Sequence, residues 1–293
     1  MSEGLRSPNI FTPKSLNEAV DIKLKNPDAN FWAGGTHLMS RHGFYPNPEQ
    51  KDIISLSGIT DLFRVFHADR YLEIGAMVNI QQILNLGRYN LSKELYEAVS
   101  LIKSAVIRNQ ATIGGLLSTK DTRYSLSCFL ATIGAQVELR MVTRNTNYHW
   151  VSVSKLYDRR GNFLFADNAI ITRIRIPAHD EKFQLFKVIG KPQTTPETAV
   201  FFGMEYSINQ GNISSATMAI VFPISCFFMS QEFDNLLSTI ALPITPDRIY
   251  KISKRLEDEL TVAAPKAEPL QIERAKRMLE ATLQKINSNF LEG

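Results

Sequence analysis

Two double glycines, Gly34-Gly35 and Gly114-Gly115, lie 80 positions apart. The first follows a strand-like run at 30–33 and the second follows Ala111-Thr112-Ile113; each precedes a helical stretch. Glycine has no Cβ and tolerates positive φ, so its backbone N–H groups can approach a diphosphate closely. The start of the following helix adds a favourable dipole. Two such loops could hold one diphosphate between them, with the Thr36 and Thr112 hydroxyls as further donors. Taken singly, each pair reads as a tight turn.

The rest of the chain narrows the choices. At 293 residues it is long enough for one large domain or two. Hydrophobic residues make up 44% and charged residues 21%, which excludes a disordered or low-complexity protein. Thirty-three basic and 29 acidic side chains leave a net charge of +4 on a mixed surface, which does not call for nucleic acid. The longest apolar run, residues 218–229, is broken by Pro223 and Ser225 and is too short for membrane insertion. The first residues carry an acid and no apolar core, so no signal peptide and a cytoplasmic location are expected. No G-x-G-x-x-G, G-x-x-x-x-G-K, H-E-x-x-H, C-x-x-C or G-x-S-x-G occurs, and the five histidines are scattered, so no metal site is expected. Two cysteines, Cys128 and Cys226, are too few for an iron–sulfur cluster, which takes four ligands.

Periodicity and caps predict helices after Ser15 (a capping box with Glu18), Asn79 and Ser92, the last keeping Leu95, Val99, Ile102 and Val106 at helical spacing. Strands are expected at 30–33, 51–56, 71–74, 136–143 and 169–176, with a further helix from the second double glycine to about 131. Beyond Pro177 the pattern becomes three strands, 183–189, 199–208 and 213–222, then helices at 246–260 and 268–290. Asn209-Gln210-Gly211-Asn212 joins the last two strands as a hairpin.

Three strings occur in order: Phe31-Trp32-Ala33-Gly34-Gly35-Thr36-His37-Leu38, then Ile74-Gly75-Ala76-Met77-Val78, then Ile107-Arg108-Asn109-Gln110-Ala111-Thr112-Ile113-Gly114-Gly115. Together they resemble the FAD-binding medium subunit of the molybdenum hydroxylases, the xanthine dehydrogenase and carbon monoxide dehydrogenase family. The likeness is closest to stand-alone bacterial FAD subunits of the xanthine dehydrogenase or selenate reductase type.

The resemblance implies an α+β chain with the FAD-binding fold of the PCMH and CO dehydrogenase flavoprotein type. Two α/β subdomains, split near 57–60, would span 1–177. A small three-stranded sheet with C-terminal helices, like the CO dehydrogenase flavoprotein C-terminal domain, would span 178–293. It implies that residues 31–38 and Thr112, Ile113, Gly114, Gly115 and Leu116 wrap the diphosphate. Ile102, Ile171 and Lys187 fall where the family packs and polarises the flavin. Many relatives carry Asn, Pro and Asp where this chain has Leu116, Thr122 and Ser125; Ser125 keeps one uncharged hydrogen bond to the cofactor. No catalytic acid or base is implied. The implied activity is oxidoreductase electron transfer, with iron–sulfur and molybdopterin subunits as partners and NAD or another acceptor. A structural subunit that has lost FAD is the alternative, motivated by Leu116 and Ser125. Gly35→Val or Gly114→Val is expected to abolish FAD retention and spare the fold.

Overall fold

The computed structural model describes residues 8–42, 51–119, 126–165, 168–178, 182–223 and 225–292. The chain forms two units. The first takes the described residues up to Thr119, Ala135–Ser152 and Phe163–Ala178; the second takes 126–134, Val153–Asn162 and 182–292.

The first unit begins with a small parallel sheet of β1 (Ile10–Phe11), β2 (Asn30–Trp32) and β3 (Ile53–Ser55), in the order β1-β3-β2. Helix α1 (Leu16–Lys25) buries Ala19 and Val20 against Ile54 and Leu56, and α2 (Thr36–His42) follows β2. The Ser15 hydroxyl accepts from the Glu18 N–H at 3.2 Å, as a cap should. The Glu18 carboxylate, however, accepts from the Lys14 N–H at 2.7 Å, so the acidic half of the expected box closes one residue early.

An antiparallel sheet of five strands follows, β4 (Val65–Ala68), β5 (Tyr71–Gly75), β6 (Gln136–Met141), β7 (Tyr148–Ser152) and β8 (Ala169–Pro177), ordered β4-β5-β8-β6-β7. Leu72, Ile74, Val137, Leu139 and Ile174 are buried by the alternation of this sheet. Glu73 and Glu138, also buried, are clasped by arginines of β8: Arg175 Nε lies 2.8 Å from Glu73 and Arg173 Nε 3.0 Å from Glu138. The two edge strands β4 and β7 carry no strong apolar alternation and are absent from the sequence expectation.

Short helices α3 (Ile80–Asn85), α4 (Lys93–Ser100), α5 (Ala105–Gln110) and α6 (Ile113–Ser118) complete the described part of the unit. The single helix expected from Ser92 past Val106 is instead α4 and α5. Ser104 caps the new helix through the Ile107 N–H (3.4 Å), Ile102 is buried, and Val106 is 68% exposed. Helical spacing alone concealed a break made by a capping serine. The helix expected from Gly115 to about 131 is likewise α6 and a separate α7 (Leu126–Thr132).

Helix α7 belongs to the second unit. Its sheet is antiparallel, β9 (Phe183–Ile189), β10 (Val200–Asn209), β11 (Asn212–Phe222) and the short β12 (Cys226–Phe228), ordered β12-β11-β10-β9. The fourth strand extends the three expected. Gln210 (φ 49) and Gly211 (φ 72) both turn left-handed, the conformation a two-residue hairpin requires. On one face Cys128 Sγ contacts the Ala219 carbonyl at 3.4 Å, and a Cβ on Gly203 would overlap the Thr132 hydroxyl. The opposite face packs Phe202, Met204 and Ile220 against α8 (Gln231–Leu237), α9 (Pro246–Ala263) and α10 (Pro269–Glu292).

Candidate functional site

Three segments of the first unit, 31–38, 75–79 and 107–116, come together. At the end of β2 the chain turns through Ala33, Gly34 and Gly35 into α2; Gly35 has φ +71. A Cβ on Gly34 would overlap the Gln110 carbonyl oxygen and lie 2.8 Å from its carbon. A Cβ on Gly35 would overlap the Trp32 ring. A Cβ on Gly115 would lie 3.7 Å from the Ala33 methyl and 2.9 Å from the Thr112 hydroxyl. The two double-glycine segments therefore touch each other through backbone, at a spacing that side chains would prevent.

The third segment, 75–79, holds the second in place. The Gly114 N–H donates to the Ala76 carbonyl (2.9 Å), Ile113 N–H to Val78 (3.1 Å) and Ile80 N–H to Ala111 (3.0 Å). Asn79 closes a full capping box with Gln82 and donates through Nδ2 to the Asn109 carbonyl at 3.1 Å. Sequence reasoning found Asn79 as a cap and missed its second role as a tie to the 107–115 segment, which nothing in its local sequence announces.

Two expectations are corrected here. Gly114-Gly115 lies inside the first turn of α6 and not in a loop before it, with the Thr112 hydroxyl accepting from the Gly115 N–H at 3.1 Å. Gly114 is buried against Ala76, where an added Cβ would lie 2.7 Å from the alanine methyl and 2.9 Å from its carbonyl oxygen. Valine at Gly114 or Gly35 would therefore disturb the fold itself and would not act on FAD alone.

The expected site residues are distributed as follows. Ala33, Gly34, Gly35, Thr36, His37, Gly115 and Leu116 are partly exposed, and Leu38 is exposed. Phe31 packs against the cluster of Ala19, Val20 and Ile54, while Thr112 and Ile113 are buried. Ile102 and Ile171 are buried too, Ile171 opposite Leu139 on the neighbouring strand. Lys187 is an exposed residue of the edge strand β9 in the second unit, opposite Phe202. Ser125 lies outside the described residues.

The end of β2 and the start of α6 bring two stretches of glycine backbone side by side, each at a helix start. In the second stretch the N–H groups of Ile113, Gly114, Gly115 and Leu116 already donate to Val78, Ala76, the Thr112 hydroxyl and the Thr112 carbonyl, so the donors for a diphosphate come chiefly from the first. Both cysteines are unsuited to redox or metal chemistry. Burial raises the Cys128 thiol far above its ordinary value and pushes Cys226 up to about 12. Among the described residues no cluster of histidine, cysteine and carboxylate could hold a metal, and no helix is long and apolar enough to cross a membrane.

A small parallel sheet and a five-stranded antiparallel sheet, joined where two glycine-bearing helix starts meet, define a flavin-dinucleotide-binding protein. Residues 6–179 match the family described as the FAD binding domain in molybdopterin dehydrogenase, and the chain belongs to that family. It is an oxidoreductase component with FAD as its cofactor. The chain is 27% identical over 214 residues to the nicotinate dehydrogenase FAD-subunit of Eubacterium barkeri, covering 70% of each. It is 30% identical over 129 residues to the uncharacterized protein YgfM of Escherichia coli K12, covering 44% of this chain and 48% of that one. Its fold is shared with a chain of carbon monoxide dehydrogenase from Hydrogenophaga pseudoflava, at TM-score 0.76 and 18% identity over 96% of both chains. A chain of quinoline 2-oxidoreductase from Pseudomonas putida 86 matches at TM-score 0.72 and 18% identity, covering 97% of this chain and 98% of that one.

Proposed function

We propose that this chain is the FAD-binding electron-transfer subunit of a molybdopterin-dependent hydroxylase or dehydrogenase, acting in the cytoplasm. Electrons pass between an iron–sulfur partner and NAD or another acceptor. The observation that carries the reading is the backbone contact of the two double-glycine segments inside the family's matched region. Bound FAD supplies the electron-transfer chemistry. This chain's own residues bind and orient it: residues 31–38 and 112–116 hold the diphosphate, and Ile102 and Ile171 shape the flavin's surroundings. In sequence, residues 1–177 carry the cofactor and 178–293 form a C-terminal domain of the CO dehydrogenase flavoprotein kind. With two cysteines, both buried, the iron–sulfur cluster belongs on a separate chain, as does the molybdopterin centre.

The test is retention of cofactor. The purified chain, or the chain reconstituted with FAD, should keep an oxidised-flavin spectrum through gel filtration, and FMN should bind far more weakly because it lacks the diphosphate. Equal affinity for FMN would remove the two-segment site. Purification from the native host should also bring down a cysteine-rich iron–sulfur chain and a larger molybdopterin chain. A catalytically competent homo-oligomer would contradict that assembly.

A further inference from the structure

We propose that Arg108 is a positioning residue for the FAD site. Its guanidinium holds α5 so that the Gln110 carbonyl sits against Gly34 and sets the separation of the two glycine segments. The inference rests on the FAD reading above.

Helix α5 has six residues and buries none of them. A helix this short is not stable alone, and with no buried face its position must come from polar ties. Arg108 supplies most of them. Its Nη1 donates to the carbonyls of Ile102 (3.0 Å) and Lys103 (2.8 Å), and its Nε donates to Gln81 Oε1 on α3 (2.8 Å). In an unbroken helix those two carbonyls would accept from the N–H groups of residues 106 and 107. The guanidinium replaces those bonds and so keeps α4 and α5 apart while fastening α5 to both the preceding turn and α3. At the other end, the Asn109 and Ala111 carbonyls accept from Asn79 Nδ2 and the Ile80 N–H. Between these anchors lies Gln110, whose carbonyl oxygen occupies the space that a Cβ on Gly34 would need. The guanidinium spreads its donors over separate nitrogens in a fixed plane, so it spans acceptors on α3 and on the preceding turn that the single nitrogen of an ammonium would have to serve from one point.

The experiment compares the full-length parent with Arg108→Met and Arg108→Lys. Each is titrated with FAD, its flavin spectrum is recorded at saturation, and the apoprotein is melted without ligand. Arg108→Met should weaken FAD binding by about tenfold or more and alter the saturated flavin band, with little change in the apoprotein melt. Arg108→Lys should recover part of the affinity. Parent-like affinity and spectrum in Arg108→Met would overturn the proposal. So would a loss of affinity that merely follows a lowered melt, with a parent-like spectrum at saturation. If Arg108→Met does not fold, Gln81→Met removes the Nε bond alone: weaker binding in a folded protein supports the proposal, and unchanged binding overturns it. A parent chain that binds no FAD refutes the function proposed above; a parent that binds with unaltered variants refutes the role of Arg108 alone.

Discussion

At the scale of single residues, the glycines divide into two kinds that one-letter sequence does not separate. Gly34 and Gly114 are glycine because a neighbouring segment crowds the Cβ position with atoms that cannot swing away: the Gln110 carbonyl in one case, the Ala76 methyl and carbonyl in the other. Gly115 is partly exposed, and its nearest obstruction is the Thr112 hydroxyl, a side chain able to rotate. Gly34→Ala should therefore destabilise the apoprotein by about 1–3 kcal/mol, the usual penalty for overpacking, and lose FAD with it. Gly115→Ala should lower apoprotein stability by about 1 kcal/mol, through a strained Thr112 cap, yet still impair FAD binding by setting a methyl on the backbone between the two glycine segments. Urea melts of the two apoproteins beside FAD titrations check the contrast. Parent-like stability of Gly34→Ala would mean that the Gln110 contact relaxes at no cost.

At the scale of elements, the side of β11 turned away from β10 shows how an edge is closed. Asn212 bridges to Ala241, the Ile213 N–H donates to Ile240, the Ala216 N–H to Ser238 Oγ, and the Met218 N–H to Asp234 Oδ1 at 2.9 Å. Beyond them β12 takes over the pairing at Ile220. Strand edges covered in this way cannot template another chain. Burial pushes the Asp234 carboxyl up to about 7, against the opposing effect of the Met218 N–H. The folded state thus holds a proton that the unfolded state releases near pH 4. Asp234 should therefore make the protein more stable at pH 5 than at pH 8, by on the order of 1–2 kcal/mol after solvent screening. Asp234→Asn keeps the acceptor and should erase that slope, matching or exceeding the parent at pH 8; a slope unchanged in chemical melts across this range would rule Asp234 out as its source. None of this edge was visible in the sequence, where α8 and β12 went unread. What could be read were features fixed within a few residues: the caps at Ser15, Asn79 and Ser92, the left-handed turn at Gln210-Gly211, and the double glycines with their neighbouring strings. What could not be read depended on distant partners, as with the break at Ser104, the edge strands β4 and β7, and the contact of Gly34 with Gln110.

At the scale of the whole molecule, the two units are interleaved along the chain. It passes from one to the other between 119 and 126, at 134/135, 152/153 and 162/163, and between 178 and 182. All seven residues of α7 are buried, and the helix lies against β10 and β11. A protein ended after residue 178 would keep α7 and lose its sheet, exposing a helix whose residues are all buried and mostly apolar. That fragment should aggregate, or melt without a cooperative transition, while the full chain melts cooperatively. A soluble, cooperatively melting 1–178 fragment would show that α7 finds another partner. FAD bound to the folded chain should add about 2.7 kcal/mol of apparent stability at a hundredfold excess over its Kd.

The burial of α7 also sets an order of events during synthesis. The helix leaves the ribosome well before β10 exists, and at about 5–20 residues per second the wait lasts some seconds. For that interval the nascent protein carries a short sticky segment with nothing to cover it, even after much of the first unit's chain has been made. Chaperone demand should therefore peak in mid-translation and fall once the hairpin at Gln210-Gly211 has formed.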